Sequence, residues 1–128
     1  MTFDLASLDT SSASERGASL DVLHPTTGEK LGIAITLAGA DSPTYVQAQR
    51  AMVNRRIRAR GKQVTAEQVE DDAVDLIASC VLGWSGVLVD GKALECTKAN
   101  AKELLARFPW IKEQCSEFMG ERANFLRD

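Results

Sequence analysis

The sequence predicts an α+β domain: an N-terminal β-hairpin packed with about four helices, and a mainly helical C-terminal half. Three observations point there. Residues 31–38 alternate large apolar with small or polar side chains, the period of a strand. Beyond residue 41, apolar residues recur at helical spacing. Cap, proline and glycine signals bracket those helical stretches. A chain of 128 residues fits one domain and buries a core without metal or disulfides.

Residues 1–17, rich in Ser, Thr, Ala and Asp, read as a disordered lead-in, and 18–128 as a single domain. In the lead-in, Phe3, Leu5 and Leu8 are apolar enough to dock on a neighbouring subunit. The hairpin spans 18–38. Leu20 and Val22 lead into the turn His24-Pro25-Thr26-Thr27-Gly28-Glu29. Leu31, Ile33, Ile35 and Leu37 then alternate with Gly32, Ala34, Thr36 and Ala38. Such a strand packs one face on a core and leaves the other accessible.

The first helix opens at Asp41-Ser42-Pro43-Thr44, with Asp41 or Ser42 as cap and Pro43 in the first turn. Tyr45, Met52, Val53 and Ile57 form its apolar stripe, and Gly61 is its stop. Thr65-x-x-Gln68 is a capping box for the second helix. The run Val69, Ala73, Leu76, Ile77, Cys80, Val81, Trp84 carries that helix to Gly83 and Gly86. Val87-Leu88-Val89 reads as a short extended segment before an Asp90-Gly91 turn. Thr97 caps a third helix that turns Ala101, Leu104, Leu105 and Phe108 inward. Pro109 starts a fourth, with Ile111, Cys115, Phe118 and Met119 on its apolar side. Residues 122–128 read as a fraying end on which Phe125 and Leu126 are apolar enough to dock.

The net charge of −3 and pI near 5.2 give no basic surplus that would draw the chain to nucleic acid. No apolar run is long enough to span a bilayer, and the N-terminus lacks the features of a signal peptide. Cys80, Cys96 and Cys115 are widely spaced without a C-x-x-C, which fits reduced thiols. His24 has no cysteine near it in sequence. No catalytic, cofactor-binding or metal-ligating residues are assigned. Asp71 and Asp75 share a helix face, but a hard cation needs more oxygens than they supply. The run Arg50, Arg55, Arg56, Arg58, Arg60, Lys62 contains no acid. It reads as a phosphate-contacting helix, as a face paired with the acids Glu67 to Asp75, or as a protein-partner surface. Its arginines point around the helix with no interleaved aromatics, which weighs against nucleic acid.

Trp84-Ser85-Gly86-Val87, Asp90-Gly91-Lys92, Cys96-Thr97-x-x-Asn100, Leu104-Leu105 and Pro109-Trp110-Ile111 with Gln114 follow one another in an order that resembles the tail assembly chaperones of long-tailed (siphovirus-type) bacteriophages. The resemblance covers residues 18–120, and Cys96 departs from its pattern. It implies a non-enzymatic chaperone without cofactors. Such a protein works in the host cytoplasm, outside the mature virion, and keeps the tape-measure protein soluble before tail tube polymerisation. It also implies that this chain is the short form of a frameshifted pair, the longer form recruiting the tail tube protein, and that the chain forms homo-oligomers. The candidate partner-binding residues are Leu31, Ile33 and Ile35 on the second strand, Arg55 and Arg56 on the basic helix, and Trp84, Val87 and Leu88. The alternative is a small nucleic-acid-associated regulatory protein using the basic helix 50–62, which predicts binding that falls steeply with salt.

Overall fold

A computed structural model describes residues 2–59 and 64–126. The fold is α+β, as the sequence predicts. A 3-10 turn, Leu5–Leu8, precedes α1 (Thr10–Arg16), β1 (Ala18–Leu23) and β2 (Lys30–Leu37). Then come α2 (Pro43–Arg58), α3 (Ala66–Ser79), β3 (Val81–Ser85), β4 (Leu88–Val89) and β5 (Lys92–Ala93). The chain closes with α4 (Lys98–Arg107), α5 (Pro109–Gly120) and a 3-10 turn, Arg122–Asn124. The main sheet is antiparallel with order β1-β2-β3, and β4 pairs only with β5.

The start signals work as the sequence predicts. Ser42, rather than Asp41, caps α2 by accepting from the Tyr45 N–H, with Pro43 in the first turn. Thr65 and Gln68 form a complete capping box. Thr97 accepts from the Asn100 N–H at the head of α4, and Pro109 opens α5. The Gly61 stop lies outside the described residues.

Two elements differ from the sequence reading. The residues read as a lead-in contain α1, capped by Asp9 accepting from the Ser12 N–H, with Ala13 and Ser14 buried. Near the far end of the chain, Phe125 likewise docks, its ring edge-on to Phe118 at 5.6 Å. The second difference is larger. The helical run expected to reach Trp84 stops at Ser79, and Val81–Ser85 becomes a strand. The free edge of β2 wins over the helical period. Ala34, Ile35 and Thr36 pair with Ser85, Trp84 and Gly83, and Leu82 bulges out between Thr36 and Leu37. β2 is therefore the centre of the sheet, not its edge.

One face of this sheet closes the core. Val22 of β1 and Ile35 and Leu37 of β2 meet Ile77, Ala78 and Cys80 from the end of α3. Ala101 and Leu105 of α4 and Ile111, Cys115 and Met119 of α5 complete it. At the outer edge of β1, the Gln114 amide accepts from the Leu23 N–H and donates to the Leu23 carbonyl, standing in for a strand partner.

The turn after β2 is tightly packed. Gly39 is buried, and a Cβ there would lie 2.7 Å from Ser14 Oγ and 2.9 Å from the Phe125 ring. Gly39→Ala is expected to destabilise the domain by about 1–3 kcal/mol through overpacking and to loosen α1 and the C-terminal turn together. Gly83 has open space around its Cβ position, so Gly83→Ala in β3 serves as the control and stays within about 0.5 kcal/mol of wild type. Urea denaturation with limited proteolysis at both ends checks this. Equal stability of the two variants would contradict the packing account.

Candidate contact surfaces

The stretch from Trp84 to Trp110, together with Ile33, builds an apolar cleft. β4 and β5 form a two-residue hairpin whose turn, Asp90 (φ 53°) and Gly91 (φ 79°), has both central residues in the left-handed region. That is the turn whose twist suits tightly paired strands, and Asp-Gly is a favoured pair for it. Arg107, from the last turn of α4, donates two hydrogen bonds to the Asp90 carboxylate at 3.1 and 3.2 Å. These bonds hold Asp90 below the usual carboxylate range. The same guanidinium lies 5.3 Å from the Phe108 ring centre. The Trp84 indole N–H donates to the Leu94 carbonyl at 2.8 Å, and the Leu94 N–H donates to Val87. Half-buried Trp84 thus anchors the hairpin's exit rather than offering a flat surface ring.

Between this hairpin and the α4–α5 corner lies a cleft of about 130 Å³, lined by Ile33, Val87, Leu88, Phe108, Trp110 and neighbours. Phe108 and Trp110 meet edge to face with centres 6.1 Å apart. Leu88, 68% exposed, overhangs the opening. Gly86 lets the hairpin approach β2: a Cβ there would collide with the Gly32 carbonyl oxygen.

The predicted contact residues therefore separate. Ile33, Val87 and Leu88 come together at the cleft. Ile35 is fully buried in the core and reaches no partner, while Leu31 is exposed near the start of β2. Phe108 and Trp110 line the same cleft and are absent from the contact residues expected from sequence. Their signal was the aromatic pair astride Pro109, which turns the chain sharply enough to leave both rings at the corner.

Arg55 and Arg56 lie elsewhere, in a charge network that ties three helices. Arg56 Nε and Nη2 both donate to Asp72 Oδ2, at 3.1 and 2.8 Å. Arg55 Nη2 lies 3.8 Å from Asp72 and 3.6 Å from Asp75. Lys98 and Lys102 of α4 approach Asp75 at 3.7 and 3.2 Å. Of the three roles considered for these two arginines, pairing with the next helix is the one the geometry shows. Asp75, ringed by three cations, is a poor place for a divalent ion. Arg60 and Lys62 lie outside the described residues.

A wider hollow of about 580 Å³ opens beside the β1–β2 turn, between His24, Pro25, Glu117 and Phe118. His24 Nδ1 accepts the Thr26 and Thr27 N–H groups, so the imidazole organises the turn. Burial pushes the Cys80 thiol up to about 11 and Cys115 to about 12, away from the thiolate form needed for nucleophilic chemistry. Among the described residues, no group of three or more His, Cys, Asp or Glu is placed to hold a metal ion, and no helix is long and apolar enough to cross a membrane.

These features define a small α+β protein whose distinctive surfaces are an apolar cleft at a hairpin–helix corner and an arginine-tied helical pair. The family model for the YdaY prophage protein matches residues 40–126, and the chain belongs to that family. It is therefore a phage-derived protein. Neither the curated proteins nor the solved structures give a match.

The three thiols are expected to react in sequence. Cys96, half-buried, reacts with a disulfide reagent in the folded protein, whereas Cys80 and Cys115 react only on unfolding. Both buried thiols ionise at higher pH folded than unfolded, so above about pH 9 the unfolded state loses protons first and stability falls. Labelling followed by peptide mass analysis checks the order. Rapid native labelling of Cys115 would contradict its burial.

Proposed function

We propose that this prophage protein is a tail assembly chaperone. It binds the tape-measure protein and keeps it soluble before the tail tube polymerises, acting in the host cytoplasm without becoming part of the mature virion. The single observation that carries the proposal is the apolar cleft at the hairpin–helix corner. It is built by the Trp84–Trp110 run on which the resemblance to tail chaperones rests. The prophage family supports the same direction.

The physical case is one of displaceable contact. A coat for a long helical client needs many modest contacts rather than one tight one, since the tube must later replace it. A shallow cleft of about 130 Å³, overhung by Leu88 and edged by Phe108 and Trp110, takes one or two apolar side chains of an amphipathic helix. That is a small anchor, and repetition along the client supplies the avidity. In this reading the protein has no catalytic step. The chain serves as the short form of a frameshifted pair, the longer form recruiting the tail tube protein.

Co-expression with a fragment of a tape-measure protein is the direct test. The fragment is expected to become soluble and to co-purify. Leu88→Asp, a change at an exposed position, is expected to weaken capture by about tenfold or more while leaving the melting temperature unchanged. A fragment that stays insoluble and never co-purifies ends the chaperone reading. Capture that is indifferent to Leu88→Asp and to Trp110→Ala moves the contact away from the cleft.

A further inference from the structure

Two of the exposed apolar surfaces among the described residues are complementary. The first is the N-terminal arm. Phe3, Leu5 and Leu8 are all exposed, Leu5 to 78%, and Leu5 and Leu8 fall one 3-10 turn apart. The arm is acidic: Asp4 and Asp9 lie among these residues, and the first basic residue of the chain is Arg16. The second surface is α2. None of its residues is buried, although Val46, Val53 and Ile57 share one face and Ile57 is 62% exposed. This helix is basic from Arg50 onward, with four arginines and no acid between Pro43 and Arg58. Arg55 and Arg56 are spent on Asp72 and Asp75, but Arg50, beside the apolar stripe, and Arg58 make no ion pair among the described residues.

We infer that the acidic apolar arm of one copy docks on the basic apolar face of α2 in the next copy, joining chains head to tail. Charge complementarity selects this occupant. An apolar arm carrying two carboxylates matches a stripe flanked by arginines, and both halves are present in every chain. Within one molecule the two surfaces leave each other uncovered. Glu15 of α1 is held at the start of α2 by Thr44, whose hydroxyl donates to it at 2.8 Å. Ile57 lies about 20 Å further along the helix at 1.5 Å per residue. The contact uses different patches on the two partners, so it is free to propagate into a ring or an open chain, and two copies that exchange arms reciprocally close a dimer. The inference does not depend on the chaperone reading, and it leaves the Leu88 cleft free.

The test is sedimentation velocity on the full chain, with two variants at exposed positions. One carries Phe3→Ser, Leu5→Ser and Leu8→Ser; the other carries Val53→Ser and Ile57→Ser. Wild type is expected to grow in mass between about 1 μM and about 1 mM, and each variant alone to associate at least tenfold more weakly. The equimolar mixture is decisive: one variant keeps an intact face and the other an intact arm, so the mixture forms a dimer that grows no further. Raised salt weakens the wild-type association. A wild type that stays monomeric over this range overturns the inference. So does an arm variant that associates like wild type, which would indicate a symmetric α2 contact or another occupant.

Discussion

The segment Ala38–Ser42 is the constraint on which the rest of the structure depends. Three successive backbone N–H groups point to three different parts of the chain. Ala38 donates to the Cys80 carbonyl, Gly39 to Ser14 and Ala40 to Met119, at 2.9, 3.0 and 3.0 Å. Asp41 then takes the Arg122 guanidinium, whose hydrogen bonds hold it below the usual carboxylate range, and the Ser42 hydroxyl donates back to Gly39. Ala38, Gly39 and Ser42 are buried, so each of these polar groups needs a protein partner. One short turn thus fixes α1, the exit of α3, the end of α5 and the C-terminal turn at once. Gly39 is the residue that admits this crowding, because any side chain would occupy the space of Ser14 and Phe125.

That knot explains which parts of the fold were legible in sequence. Local signals acted locally and were read correctly: Ser42, Thr65 and Thr97 as caps, Pro109 as a helix start, Asp90-Gly91 as a turn. What was missed depended on distant partners. α1 has a good cap in Asp9, but its polar composition hid the fact that Ser14 would lie under Gly39. Val81 and Trp84 continue a helical period and also suit a strand, and only the open edge of β2 decides between them. Once Cys80 accepts from Ala38, the chain has left the helix and Trp84 falls opposite Ile35.

The same logic sorted the contact surface. Sequence placed Ile33 and Ile35 together as alternating apolar residues, and burial separates them, Ile35 in the core and Ile33 at the mouth of the cleft. The separation follows from where β3 ends. β3 pairs with β2 only from Ala34 to Leu37; beyond that Gly86 meets β2 at Gly32, and a gap remains between the β4–β5 hairpin and the α4–α5 corner. The gap is apolar because it opens onto the same helices that form the core, and it is small because Arg107 and Trp84 hold the hairpin at both ends. The arginines, by contrast, were legible as a run but not as individuals. Their acids come from the following helix, and only packing decides which of them are neutralised.

The family match begins at residue 40, between β2 and α2, and therefore omits the hairpin. The core does not divide there. Val22, Ile35 and Leu37 from outside the matched region lie in one cluster with Ile77, Cys80, Leu105, Ile111 and Cys115 from inside it. Without β2, β3 would have no ladder and Cys80 would lose the N–H that draws the chain out of α3. The N-terminal hairpin is accordingly a structural part of the same domain rather than an appendage to it. It also forms part of the cleft through Ile33, so a change in the hairpin reaches the surface that the matched residues build.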